Sequence, residues 1–218
     1  MHKTLLTSLF LFLVLSVEAQ VLSVIGDSYV ANHRAPQSES WHSLWAEHNG
    51  YTYQNVGRNG GCVAFDRTKE GFGPSMMVRY SSLRPDADIV IIIAGHNDAY
   101  KCGTNRDSVQ LFADSLSTLI DRIRLQCPKA RLGYVTPWAV NHAGFKPIHK
   151  AILRVCRAKG VPVLDNFRKD CPVHVRDADF RKQYFQAPND HAHLNAAGHT
   201  LYLPYASRWM RQFLNSKP

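Results

Sequence analysis

The sequence predicts an α/β protein with a parallel sheet covered by helices on both faces. Short apolar runs alternate with helical patterns along the chain from residue 21 onward, the order that builds parallel sheets. One run, Asp-Ile-Val-Ile-Ile-Ile-Ala at residues 88–94, shows no polar face, as a strand buried on both sides must. About two hundred residues follow the leading segment with no repeat, low-complexity tract or Pro/Gly/Ser linker. That length suits one domain with a full-sized core.

Taken in order, residues 1–19 read as a signal peptide. Met1-His2-Lys3 is a short basic start, residues 5–17 form an apolar run short for a bilayer span, and Val17-Glu18-Ala19 offers a cleavage site after Ala19. The mature chain, residues 20–218, would then be exported, to the periplasm or as a secreted protein. It would keep no integral membrane span. The first strand is Val21-Leu22-Ser23-Val24-Ile25, and Gly26-Asp27-Ser28 turns the chain at its end. Residues 39–48 read as a helix with Trp41, Leu44 and Trp45 on one face, and residues 51–56 as a strand. Residues 57–73 form a glycine-rich loop and residues 75–83 a short helix. After the strand at 88–94, residues 108–126 make the clearest helix. Phe112, Leu116, Leu119, Ile120 and Ile123 recur at three- and four-residue steps there, and Pro128 follows its end. A strand at 131–135, a helix at 147–159 and a strand at 161–164 come next. A closing helix at 195–214, bent at Pro204, ends the chain.

The formal net charge is +9, with Lys and Arg dispersed. No nucleic-acid motif and no basic stripe with interleaved aromatics accompanies it, so a solvated basic surface is the expectation and nucleic acid is not an expected partner. Five cysteines, Cys62, Cys102, Cys127, Cys156 and Cys171, include no CxxC pair, which disfavours a thiolate zinc site. Export permits disulfides, and the odd count leaves at least one thiol over. Cys62–Cys102 is one candidate bridge, because the two stand just beyond Gly60 and Asn97.

The chemistry starts at Ser28. A hydroxyl on the turn after a strand stands at the carboxyl edge of the sheet, where open α/β folds hold ligands. Serine is a weak nucleophile and needs an imidazole base, itself held by a third group. Asp190-His191-Ala192-His193 supplies that pair, since three residues across one turn let the Asp190 carboxylate reach His193. His191 would point away. An ordinary surface histidine is the plain alternative for His193. Zinc ligation by His191, His193 and His199 with Asp190 is another, weakened by the lack of a further ligand cluster. Two loops at strand ends offer oxyanion donors. Asn55-Val56-Gly57-Arg58-Asn59-Gly60-Gly61 can present a glycine N–H, with Gly60 or Gly61 as donor, and Gly95-His96-Asn97-Asp98 can present the Asn97 amide.

These four blocks resemble the SGNH hydrolases, the GDSL-type esterases: Ser28 in Gly-Asp-Ser-Tyr, Gly60 in Asn-Val-Gly-Arg-Asn-Gly, Asn97 in Gly-His-Asn-Asp and His193 in Asp-His-Ala-His-Leu. The resemblance spans essentially the whole mature chain. It implies a three-layer α/β/α sandwich with a five-stranded parallel sheet of flavodoxin-like type. It also implies Ser28 as nucleophile, His193 as base, Asp190 as its orienting acid, and an oxyanion hole of the Ser28 and Gly60 N–H groups with the Asn97 side chain. No cofactor or metal is implied. Tyr29 stands where leucine is frequent in the family, and the Gly-His-Asn-Asp block resembles that of carbohydrate acetylesterases. The expectation is therefore a serine esterase acting on short acyl, above all acetyl, esters of carbohydrates or other small molecules. The alternatives are a lysophospholipase or thioesterase of the same family, a metal-dependent hydrolase, and a catalytically silent carbohydrate-binding protein.

Overall fold

The computed structural model describes residues 19–216; the expected signal segment lies almost wholly outside them. Five parallel strands form one sheet: β1 (Val21–Gly26), β2 (Thr52–Gly57), β3 (Ile89–Ile93), β4 (Arg131–Val135) and β5 (Val163–Leu164), in the order β2-β1-β3-β4-β5. Every residue of β1 and β3 is buried, whereas β2, on the edge, is half-exposed along its length. The Ile-Val-Ile-Ile-Ile run of β3 thus packs on both faces. Truncating one such isoleucine to alanine would cost about 2–5 kcal/mol.

Among the described residues eight α-helices accompany the strands: α1 (Ser28–Ala31), α2 (Trp41–His48), α3 (Met76–Arg79), α4 (His96–Cys102), α5 (Arg106–Gln126), α6 (Phe145–Ala158), α7 (Ala178–Tyr184) and α8 (Ala196–Asn215). Helices α2 and α8 pack together, as do α5 and α6, giving the layers that cover the sheet. The long helix α5 buries Phe112, Leu116, Leu119, Ile120 and Ile123, and the Asn105 side chain caps its start by accepting from Ser108 N–H at 2.8 Å. Helix α6 begins two residues before the expected start because Pro147 sits in its first turn, where a missing N–H breaks no helical bond. Helix α8 runs on through Pro204. Sequence patterning misses α1, α4 and α7. Among the described residues no helix is long and apolar enough to cross a membrane.

The strand order places the site. Between β1 and β3 the order reverses, so the loops leaving these neighbours part and open a crevice at their carboxyl ends. Register fixes what stands there: Gly26 pairs with Gly57 on one side and Ile93 on the other. Ser28, Gly60 and Asn97 follow these three level strand ends by two to four residues.

All five cysteines are free and buried, so the candidate Cys62–Cys102 bridge is not formed. Cys102 instead directs its thiol to Ser108 O at 3.3 Å. Asp98 does the work of joining the two loops. Its carboxylate accepts from the N–H groups of Val63 and Ala64, each at 3.1 Å.

Candidate active site

Ser28 opens α1, and Asp27 caps that helix by accepting from Tyr29 N–H at 2.9 Å. The far partner arrives on the loop before α8. His193 Nε2 lies 2.8 Å from Ser28 Oγ, and its Nδ1 lies 2.8 Å from Asp190 Oδ2. The other Asp190 oxygen accepts from Ala192 N–H at 2.7 Å and His193 N–H at 3.0 Å. Burial works against the Asp190 charge, but the hydrogen bond to His193 and these backbone donors outweigh it and hold the carboxyl below its usual range. The loop is pinned from outside: Trp138 Nε1–H donates to Ala192 O at 2.8 Å, and Gln186 N–H to His193 O at 2.9 Å.

Gly60, Asn97, Ser28 and His193 line one cavity of about 400 Å³. Gly60 sits at φ +71°, and a Cβ there would lie 2.1 Å from the Phe72 ring. Gly61 faces the other way, toward Arg79, and its carbonyl accepts from Asn97 Nδ2 at 3.0 Å. Of the two glycines left open by the sequence, Gly60 is therefore the one facing the cavity. That bond to Gly61 uses one amide hydrogen of Asn97 and leaves the second for a ligand. The Gly60 carbonyl is tied by Arg67 Nη1 at 2.8 Å. At the rim, Glu70 pairs with Arg67 at 2.7 Å and Lys101 at 2.6 Å.

Behind Ser28 and His193 the space is nearly closed, at about 10 Å³, against Tyr29, Trp41 and Trp138. Tyr29 is buried, its hydroxyl 3.1 Å from His96 Nδ1. Burial, followed by the nearby His193, pushes His96 down to about 3, so it is neutral at ordinary pH. Asp27 is fully buried with Oδ2 unpaired among the described residues, and burial raises it to about 7.

One alternative left open by the sequence falls away. His199 does not gather with His193 as a metal ligand: it is buried, with Nε2 2.9 Å from Asn32 Oδ1 and Nδ1 accepting from Trp41 N–H at 3.2 Å. His191 lines a neighbouring hollow rather than the cavity that His193 lines. Trp41, Trp45 and Trp138 belong to the core, whereas Phe72 lines the cavity. Sequence reasoning overlooked two residues. Tyr100 lines the cavity wall and is 48% exposed. His33 stacks on His193 with ring centroids 4.1 Å apart and planes 16° from parallel. Asn32 and His33 both adopt positive φ, 60° and 47°, a local geometry that no motif announces. Among the described residues no group of three or more His, Cys, Asp or Glu side chains is arranged to hold a metal ion.

Residues 24–201 match the GDSL-like lipase/acylhydrolase family. The chain belongs to that family. It is thus a hydrolase of the esterase class, as the four motif blocks imply. Solved structures share the fold. A Lactobacillus plantarum protein is 19% identical, covering 93% of this chain and 99% of its own, with a TM-score of 0.71. A member of the lipolytic G-D-S-L family from Veillonella parvula is 15% identical, covering 87% and 97%, with a TM-score of 0.61. A family two carbohydrate esterase from Clostridium thermocellum, solved in complex with cellohexaose, is 15% identical, with a TM-score of 0.64. That similarity covers 89% of this chain and 64% of the esterase chain. No curated protein sequence matches this family member significantly.

Proposed function

We propose that this family member is an exported serine esterase that removes short acyl groups, acetyl foremost, from carbohydrate hydroxyls. The observation that carries the reading is the pair of 2.8 Å contacts joining Ser28 Oγ to His193 and His193 to Asp190. Ser28 Oγ attacks the ester carbonyl while His193 Nε2 takes its proton, and Asp190 holds the imidazole in the tautomer that can accept it. The tetrahedral oxyanion forms against the N–H groups of Ser28 and Gly60 and the Asn97 amide. Neither backbone N–H has another partner among the described residues. His193 then gives that proton to the sugar oxygen as its bond to the acyl carbon breaks, releasing the free hydroxyl. Water repeats the cycle on the acyl-enzyme, giving the carboxylic acid and free Ser28.

A short acyl group is favoured because the space behind the triad is nearly closed and the open cavity is walled by polar and charged side chains rather than a long apolar groove. A carbohydrate alcohol is favoured by the exposed rings of Phe72 and Tyr100 at that cavity and by the cellohexaose complex of the Clostridium thermocellum esterase. Export rests on the basic and apolar start of the sequence.

The test is kcat/KM across p-nitrophenyl acetate, butyrate and octanoate, followed by acetate release from acetylated polysaccharide. Acetate is expected to be the preferred ester. Preference for octanoate would move the assignment to a lysophospholipase or thioesterase.

A further inference from the structure

Beside the catalytic cavity lies a second hollow of about 320 Å³, and Tyr100 lines both. Its other polar walls are Asn141, His142, Arg176, Arg181 and His191, and no carboxylate is among its lining residues. On the catalytic side, Arg67 and Lys101 share Glu70. Arg176 and Arg181 have no such neutralising partner among the described residues.

Both guanidinium groups are nevertheless held in place. Arg176 Nε donates to Ala139 O at 2.9 Å. Arg181 Nε donates to Pro188 O at 3.1 Å, and its Nη1 to Val175 O at 2.9 Å. The carbonyls fix the orientation of each fork without cancelling its charge, and they leave the remaining terminal nitrogens without a protein partner among the described residues. An arginine fixed in this way loses little further freedom on meeting a planar or tetrahedral oxyanion, which its donors fit in pairs. His191 adds a ring nitrogen from the loop that also carries Asp190 and His193, so the hollow is tied in sequence to the catalytic base.

Building on the esterase reading above, we propose that this hollow is the subsite for an anionic substituent, carboxylate or sulfate, on the sugar whose ester is cleaved. The substrate class is then an acylated acidic carbohydrate rather than a neutral one. The sugar would reach from the cavity past Tyr100, with its anionic group against Arg176 and Arg181.

Binding without cleavage tests this directly. Calorimetric titration of the wild-type protein at low salt would compare unacetylated oligogalacturonate, sulfated oligogalactan and neutral oligogalactan. At least one anionic series is expected to bind about tenfold tighter than the neutral one, and the one that does so identifies the group. The preference should fall in high salt. It should vanish in R176A/R181A and fall at least about threefold in the exposed single variant Arg176→Ala. K129A/R211A removes two charges near the opposite, amino end of the sheet, where Arg131 Nη1 bonds Leu214 O, and it should keep the preference. Equal binding of all three ligands by the wild type would overturn the inference. So would an unchanged preference in R176A/R181A, or an equal loss in K129A/R211A, which would mean a net-charge effect. Anion-selective binding without acetate release would instead count against the esterase reading and leave the subsite standing.

Discussion

Replacing Gly60 by alanine isolates the loop proposed to supply an oxyanion donor. Gly60 has φ +71°, and an added Cβ would lie 2.1 Å from Phe72 Cδ1 and 2.4 Å from its Cγ. These atoms sit near the base of the ring, so the ring cannot simply swing its tip aside. It must leave the wall, together with the Arg67 guanidinium stacked 4.1 Å from its centroid, or the Gly60 backbone must shift. The first loses the Arg67 bond that ties the Gly60 carbonyl and the second moves the backbone itself, so either disturbs the N–H proposed to meet the oxyanion. The expected loss is on the order of 10²-fold in kcat, as for removal of one donor. Left-handed backbone adds about 1–2 kcal/mol of destabilisation. Gly50 supplies the control: it has the same φ of +71° but nothing within 4 Å of an added Cβ. Gly50→Ala should lower Tm by roughly 2–8 °C and leave kcat alone. The assay is p-nitrophenyl acetate turnover with thermal melts of both variants. A Gly60→Ala enzyme with kcat within twofold of wild type would refute the reasoning, as would a comparable kcat loss in Gly50→Ala.

Other expectations follow from the same geometry. Asn97→Ala should lower kcat by roughly 10²–10³-fold with little change in KM; a loss confined to KM would make Asn97 a binding residue. His33→Ala removes the ring stacked on His193, and at about 0.5–1.5 kcal/mol for such a pair should cost roughly 2- to 12-fold in kcat/KM, whereas His33→Phe should restore most of it. Asp27 is raised from 3.8 to about 7, so the folded state holds its proton more tightly than the unfolded chain. Its stability contribution therefore declines as pH rises from about 4 to about 7 and is lowest above that. Asp27→Asn should accordingly raise Tm relative to wild type by more at pH 8 than at pH 5, with an upper bound of order 4 kcal/mol at pH 8.

The sheet and the Asp190–His193 contact were legible because each leaves a local mark. A run as short and as β-branched as Ile89–Ile93, with no polar face, reads as a strand buried on both sides, and three-residue spacing carries Asp190 to His193. The misses have physical causes too. Helices α4 and α7 are seven residues each and carry no apolar period. The Asp177 cap that starts α7, accepting from Asp179 and Phe180 N–H, was a readable signal that the expected element order did not use. The choice between Gly60 and Gly61 depends on Phe72 and Arg79, which meet the loop only after folding. His199 looked like a ligand because sequence cannot show that Asn32 and Trp41 claim both of its ring nitrogens. The hollow past Tyr100 gathers side chains from four separated segments, and no one of them marks it.

The central claim is that Ser28 is the nucleophile. Incubation with an organophosphonate, proteolysis and mass spectrometry of the labelled peptide test it most directly. The account predicts a single adduct on Ser28, loss of ester hydrolysis in step with its formation, and neither adduct nor activity in Ser28→Ala. An adduct on another serine, such as Ser75 or Ser81, or ester hydrolysis persisting in Ser28→Ala, would contradict it.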